Sequence, residues 1–235
     1  TGKVIGPEIA VRLAALEITD GQATVVDFGT VGWGTAEPPQ FVFTVKNLGE
    51  GDLILGSLSL PAGYTLVESA VPVLEPGTED TFTVRLDTDT PGLKAGVISL
   101  GNNDSTENPF VFPITGLVAA PEVTVLLGDQ NIVNGQTSAI DFGTMEYDEP
   151  APSLVFTVCN DGNYPLNLGS VILPAGYELV DGLLESLQPG ETDTFTVRLD
   201  TGTEGTQAGP LHFVANDPDE NPFSFEITGH IACPD

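Results

Sequence analysis

The chain has 235 residues with 34 acidic and six basic side chains, a net charge of −28 that excludes nucleic acid and anionic lipid as partners. Gly (27) and Pro (19) are spread among Val, Thr, Phe and Ile, the composition of many short strands joined by turns rather than of a disordered tract. No run approaches the ~18 apolar residues of a membrane-spanning helix, so membrane insertion is not expected.

From the N-terminus, residues 8–12 (EIAVR) read as an extended piece and 24–31 (TVVDFGTV) as a strand after the Asp20-Gly21 turn. VRLAALEI (11–18) has the composition of a helix but no cap and too little length. Residues 41–47 (FVFTVKN) put Phe41, Phe43 and Val45 on one face. The turn Asn47-Leu48-Gly49 leads to 52–58 (DLILGSL), then LPAGY (60–64) and the loop LEPGTED (74–80). In TFTVRLDT (81–88), Phe82, Val84 and Leu86 alternate with Thr83, Arg85 and Asp87, the period-two signature of a half-buried strand. Residues 95–100 and 109–115 close the series.

The whole series then recurs. TFTVRLDT returns at 194–201, Asp141-Phe142-Gly143-Thr144 answers Asp27-Phe28-Gly29-Thr30, LVFTVCN (154–160) answers FVFTVKN, and LPAGY and ENPF each occur twice. Two domains are therefore expected, 1–118 and 119–235, with formal charges of −10 and −18. TGKVIGPE (1–8), TGLVAAPE (115–122) and TGHIACPD (228–235) repeat one junction pattern, which predicts neighbouring repeats of the same kind or identical subunits as partners.

The order FGT, FTVxN, LxPG…TFTVRLD and NPF…ITG resembles the choice-of-anchor D repeats of the immunoglobulin-like family that includes the ASH (abnormal spindle–SPD-2–hydin) and PapD-like domains. The resemblance implies an all-β fold of two tandem immunoglobulin-like β-sandwiches of seven to eight strands, in large extracellular or cell-surface proteins of prokaryotes. It brings no catalytic residues. Asp87-Thr88 and Asp200-Thr201 stand where that family usually has a proline, a departure confined to a loop.

The residues themselves offer little chemistry for catalysis. His212 and His230 lack counterparts in the first repeat, and no nucleophile elbow or phosphate-cradling glycine loop is present. No cofactor is expected other than Ca²⁺, which takes six to eight oxygens. The loop 216–221 offers Asn216, Asp217, Asp219, Glu220 and Asn221, and its counterpart offers Asn102, Asn103, Asp104, Glu107 and Asn108. The same residue types also build tight strand connections. Asp27 and Asp141 read as turn caps, and Arg85 and Arg198 as partners of a carboxylate on an adjacent strand. Cys159 and Cys233 form either a disulfide or two free thiols. Trp33, Tyr64, Tyr147, Tyr164 and Tyr177 could serve a glycan, although matched Tyr64 and Tyr177 read as packing. The sequence therefore predicts a structural unit of a surface array or filament, with a calcium- or glycan-binding adhesin module as the alternative.

Overall fold

The computed structural model describes residues 6–151 and 153–233, and the chain divides into two compact units between Ala119 and Ala120. The opening Thr1–Ile5 segment and the closing Pro234-Asp235 pair of the repeated junction lie outside the described residues.

Unit 1 contains β1 (Ile9–Leu13), β2 (Leu16–Ile18), β3 (Val26–Gly32), β4 (Gln40–Asn47), β5 (Leu53–Ser59), β6 (Tyr64–Glu68), β7 (Val73–Leu74), β8 (Glu79–Leu86), β9 (Gly92–Asn102) and β10 (Phe110–Ala119). These pair as two sheets, β2-β1-β4-β8-β6 and β3-β10-β9-β5-β7, with one apolar core between them. The stretch 11–18 is a hairpin, with Ala14 in the left-handed region (φ 52°) at its turn.

Unit 2 repeats the plan with β11 (Val123–Leu127), β12 (Gln130–Ile132), β13 (Gln136–Glu146), β14 (Ser153–Asn160), β15 (Leu166–Asn167), β16 (Tyr177–Asp181), β17 (Ser186–Leu187), β18 (Thr192–Leu199), β19 (Gly205–Phe213) and β20 (Phe223–Ala232). Its first sheet is β12-β11-β14-β18-β16. The second is β13-β20-β19, flanked by the β15-β17 pair and the single bridges Leu168↔Ala215 and Ile172↔His212.

The repeated TFTVRLDT strand lies within the first sheet of each unit, between β4 and β6 or between β14 and β16. Phe82, Val84 and Leu86 are buried, and Phe82 stacks on Phe43 at 5.1 Å, as Phe195 does on Phe156 at 4.9 Å. Such stacked pairs add to the area they remove from water. Thr83 departs from the expected polar face: the bulged edge strand β6, where Glu68 opposes it, leaves it buried.

Strand β10 runs beyond 115, through Thr115–Ala119 of the junction, because β9 and β3 pair with it along that length. Pro121, which has no N–H to give a ladder, falls between β10 and β11.

The first and last strands of each unit place its termini at opposite poles. Ile9 pairs with Asn47 and is held by Asp104, just past the end of β9, whereas Val118 at the other end of β10 pairs with Gly92, where β9 begins. In unit 2, Val123 is held by Asp217 beyond the end of β19, and Ile231 pairs with Gly205 at its start.

That geometry corrects the disulfide expectation: Cys159 and Cys233 are both free thiols. Cys159 pairs with Thr192 at the start of β18, while Cys233 follows Ala232 at the far pole. A strand of eight residues, about 23 Å at 3.3 Å per residue, lies between those levels, far beyond the ~7 Å that a disulfide can bridge.

Candidate functional site

The pole at which the chain enters each unit is built on a fully buried asparagine. Asn47 Nδ2 donates to the carbonyls of Gly51 (2.8 Å) and Leu74 (2.9 Å), while Oδ1 accepts from the N–H groups of Gly49 (2.9 Å) and Glu8 (3.4 Å). Asn160 repeats all four bonds with Tyr164 (2.9 Å), Leu187 (3.0 Å), Gly162 (3.1 Å) and Glu122 (3.4 Å). One side chain thereby ties the turn, the following strand and the entering chain together, with its hydrogen-bonding capacity filled. A Cβ on Gly162 would stand 2.5 Å from Ala120 O and Glu122 N, and one on Gly49 would stand 2.4 Å from Gly6 O, so glycine is needed for close approach at both turns.

The loop after β9 reaches this pole through Asp104, which is 2% exposed. Its Oδ2 accepts from Ile9 N (3.1 Å), and Oδ1 accepts from Thr106 N (2.9 Å) and Thr106 Oγ1 (2.8 Å). Burial pushes its carboxyl up, but the hydrogen bonds from Thr106, Ile9 and Glu107 outweigh burial and hold it below its ordinary 3.8. Asp217 is equally buried and accepts from Val123 N (2.8 Å) and Asp219 N (3.1 Å).

The two poles differ in charge. Glu8, Asp104 and Glu107 converge in unit 1, and Glu122, Asp217 and Asp219 in unit 2, each set with ligand oxygens within 4.8 Å of one another. Asp219 occupies the place of Thr106, so a carboxylate replaces a hydroxyl donor. Burial, followed by the charges of Asp217, Glu122 and Asp219, pushes Glu220 up to about 7. Glu122 is raised by burial and then by Asp217, Asp219 and Asp161. Asp219 is raised chiefly by its hydrogen bond to Asp217 and by that residue's charge. In unit 1, Glu107 is raised by burial and then by Asp104, Glu8 and Asp20. The unit 2 pole holds excess negative charge that a proton or a cation relieves.

Of the sequence-proposed ligands, Asp217 and Asp219 come together, and Glu220 joins them electrostatically. The side-chain oxygens of Asn216 and Asn221 instead accept from Asn167 N (2.7 Å) and Ala215 N (3.2 Å), pinning the loop. In unit 1, Asn103 and Asn108 do the same for Ile54 N (2.8 Å) and Asn102 N (3.2 Å). Glu122 was not among the expected ligands. Its signal was the acidic residue after proline in the junction pattern, at Glu8, Glu122 and Asp235.

Four of the remaining candidates, Asp27, Asp141, Tyr64 and Tyr177, are accounted for locally. Asp27 and Asp141 each accept at 2.8 Å from Gly29 N and Gly143 N, whose φ values of 83° and 86° favour glycine. Tyr64 and Tyr177 pack edge-on against Phe28 and Phe142 and donate to the carbonyls of Lys94 and Gln207, so they are not open to a glycan. Burial first, then Asp27 or Asp141, pushes each hydroxyl up to about 12.

No family model and no curated protein matches the chain. Among solved structures it is similar to a protein of unknown function from Porphyromonas gingivalis W83, at 16% identity, over 94% of this chain and 99% of that one, with a TM-score of 0.35. It is also similar to ASH/PapD-like domain 7 of human CEP192, at 12% identity, over 49% of this chain and 89% of that domain, with a TM-score of 0.37. Extracellular cadherin domains 1–4 of protocadherin gamma B7 align at 8% identity over 92% of this chain and 51% of that one, with a TM-score of 0.48.

Proposed function

We propose that the chain is a non-catalytic, load-bearing pair of repeats of the choice-of-anchor D kind, joined to neighbouring repeats in an extracellular or cell-surface array. The observation that carries this reading is the placement of entry and exit at opposite poles of each unit. Tension along the chain loads β10 and β20 parallel to their own length. Their ladders to β3 and β9, or to β13 and β19, then resist in shear, with many bonds sharing the load. The acidic surface keeps such an array soluble and its members apart. Pulling the chain by its ends tests the reading, because each unit should give its own force peak.

A second reading is favoured by the carboxylates of unit 2. Glu122, Asp217 and Asp219 would hold a Ca²⁺ ion with Glu220 beside them, tying the start of β11 to the loop after β19. Replacing EDTA by millimolar Ca²⁺ should raise the unfolding temperature of unit 2 by several degrees. Asp219→Thr, which installs the residue found in unit 1, should abolish that shift. An unchanged temperature in the native chain would eliminate the cation reading and leave the load-bearing one standing.

A further inference from the structure

The turn that leaves β12 in unit 2, and its counterpart after β2 in unit 1, each dock on the last strand of their unit. In unit 2, Asn134 Oδ1 accepts from Ser224 N (2.9 Å) and Gly135 N donates to Ser224 O (2.7 Å). In unit 1, Asp20 Oδ1 accepts from Val111 N (2.7 Å) and Gly21 N donates to Val111 O (2.8 Å). Gln136 N closes the turn on Val133 O at 3.0 Å, and Gln22 N on Thr19 O at 3.1 Å. The two glutamine side chains also match: Gln136 bonds Val133 N and Ser138 O, as Gln22 bonds Thr19 N and Thr24 O. Gly135 and Gly21 have φ values of 73° and 65°, which glycine adopts without strain. What differs at the docking residue is an amide in unit 2 against a carboxylate in unit 1.

Asn134-Gly135 is the only Asn-Gly pair in the sequence, and Gly135 is exposed to water in its turn. An asparagine amide is open to attack by the next backbone nitrogen when that residue is glycine, because no side chain shields the nitrogen or restricts its approach.

We propose that Asn134 is a modification site, at which the folded chain converts asparagine to aspartate without an enzyme. Gly135 N gives its proton to hydroxide and attacks Asn134 Cγ. The Cγ–Nδ2 bond breaks, ammonia leaves, and a cyclic imide joins the two residues. Water then opens the imide. Cleavage between Cγ and Gly135 N leaves aspartate, and cleavage at the main-chain carbonyl leaves isoaspartate, whose main chain is one carbon longer. The fold governs both the rate and the aspartyl outcome. Ser224 holds the two groups that must meet, so the turn has to lift from β20 before they react. Aspartate returns to the same place, because Asp20 makes the equivalent contacts in unit 1. The conversion gives unit 2 one more negative charge and the docking residue of unit 1. It rests on neither the load-bearing nor the cation reading.

The test is to age the whole chain in mildly alkaline buffer, folded and unfolded in concentrated urea, and to map its peptides by mass. Asn134 should convert before any other asparagine in both samples. The folded chain should convert about tenfold or more slowly, the effect of first breaking the two hydrogen bonds to Ser224. Asn134→Asp should fold, with the unfolding temperature of unit 2 moved by less than about 4 °C. Equal rates in the two samples would overturn the hold by Ser224. So would a folded Asn134 left intact after about a hundred times its half-life in urea overturn the site itself, since two such bonds cannot delay it that long. Earlier conversion of another asparagine, or a larger fall in the unfolding temperature of Asn134→Asp, would equally overturn the proposal.

Discussion

Replacing Asn160 by alanine tests whether one buried amide locks the entry pole of unit 2. The substitution removes four hydrogen bonds, two given and two received. The bond to the Leu187 carbonyl is buried, so that acceptor loses its partner where water cannot easily replace it, at about 1–3 kcal/mol. The bonds to Tyr164, Gly162 and Glu122 are partly buried, and losing each costs about 0.5–1.5 kcal/mol. The total is about 2.5–7.5 kcal/mol. For a unit spanning Ala120 to Asp235, with unfolding entropy of about 2.1 cal/mol/K per residue, this lowers the unfolding temperature by about 10–31 °C. Calorimetry of the whole chain reads the change against the untouched unit 1, and Asn47→Ala should move the other transition instead. A fall of less than about 4 °C, or equal movement of both transitions, would refute the reasoning.

Other perturbations separate the two poles. Gly162→Ala should cost unit 2 about 2–3 kcal/mol, since its new Cβ would meet backbone of Ala120, Pro121 and Glu122 that cannot swing aside, as calorimetry will read. Glu220 has a folded pKa of about 7 against an ordinary 4.5, so between these values the folded state keeps a proton that the unfolded state releases. The stability of unit 2 should therefore fall as pH rises from about 5 to 7.5, by about 1 kcal/mol once partial exposure is allowed for, and Glu220→Gln should flatten that slope. Asp104 acts in the opposite sense. Its folded pKa is depressed, so its contribution is present above its ordinary 3.8 and lost as pH falls through the lowered value. Acid unfolding followed by circular dichroism should show Asp104→Asn removing that loss from unit 1.

Local pattern made the strands legible. The alternation in TFTVRLDT marks Phe82, Val84 and Leu86, and Phe195, Val197 and Leu199, as the buried face, although burial of Thr83 beneath β6 is not readable from it, and the repetition marks two units. The Asp-Phe-Gly turns were readable because an aspartate two residues before a positive-φ glycine is a contact within one turn. The entry pole was not readable in that way. Asn160 lies 38 residues from Glu122, and Asp217 lies 94 residues from Val123, so their meeting depends on which strand ends the two sheets bring together. The two asparagines of the loop 216–221 look like ligands in sequence, yet both are occupied in holding backbone N–H groups. Glu178 carries no motif at all; it meets Arg198 because the two stand opposite each other across a strand pair.

The most direct test of the load-bearing account is single-molecule extension of the native chain held at its two ends. Two separate force peaks are expected, each releasing roughly 350–400 Å, the contour of one unit less its folded length. One event releasing about twice that length, or extension with no force peak, would contradict the account.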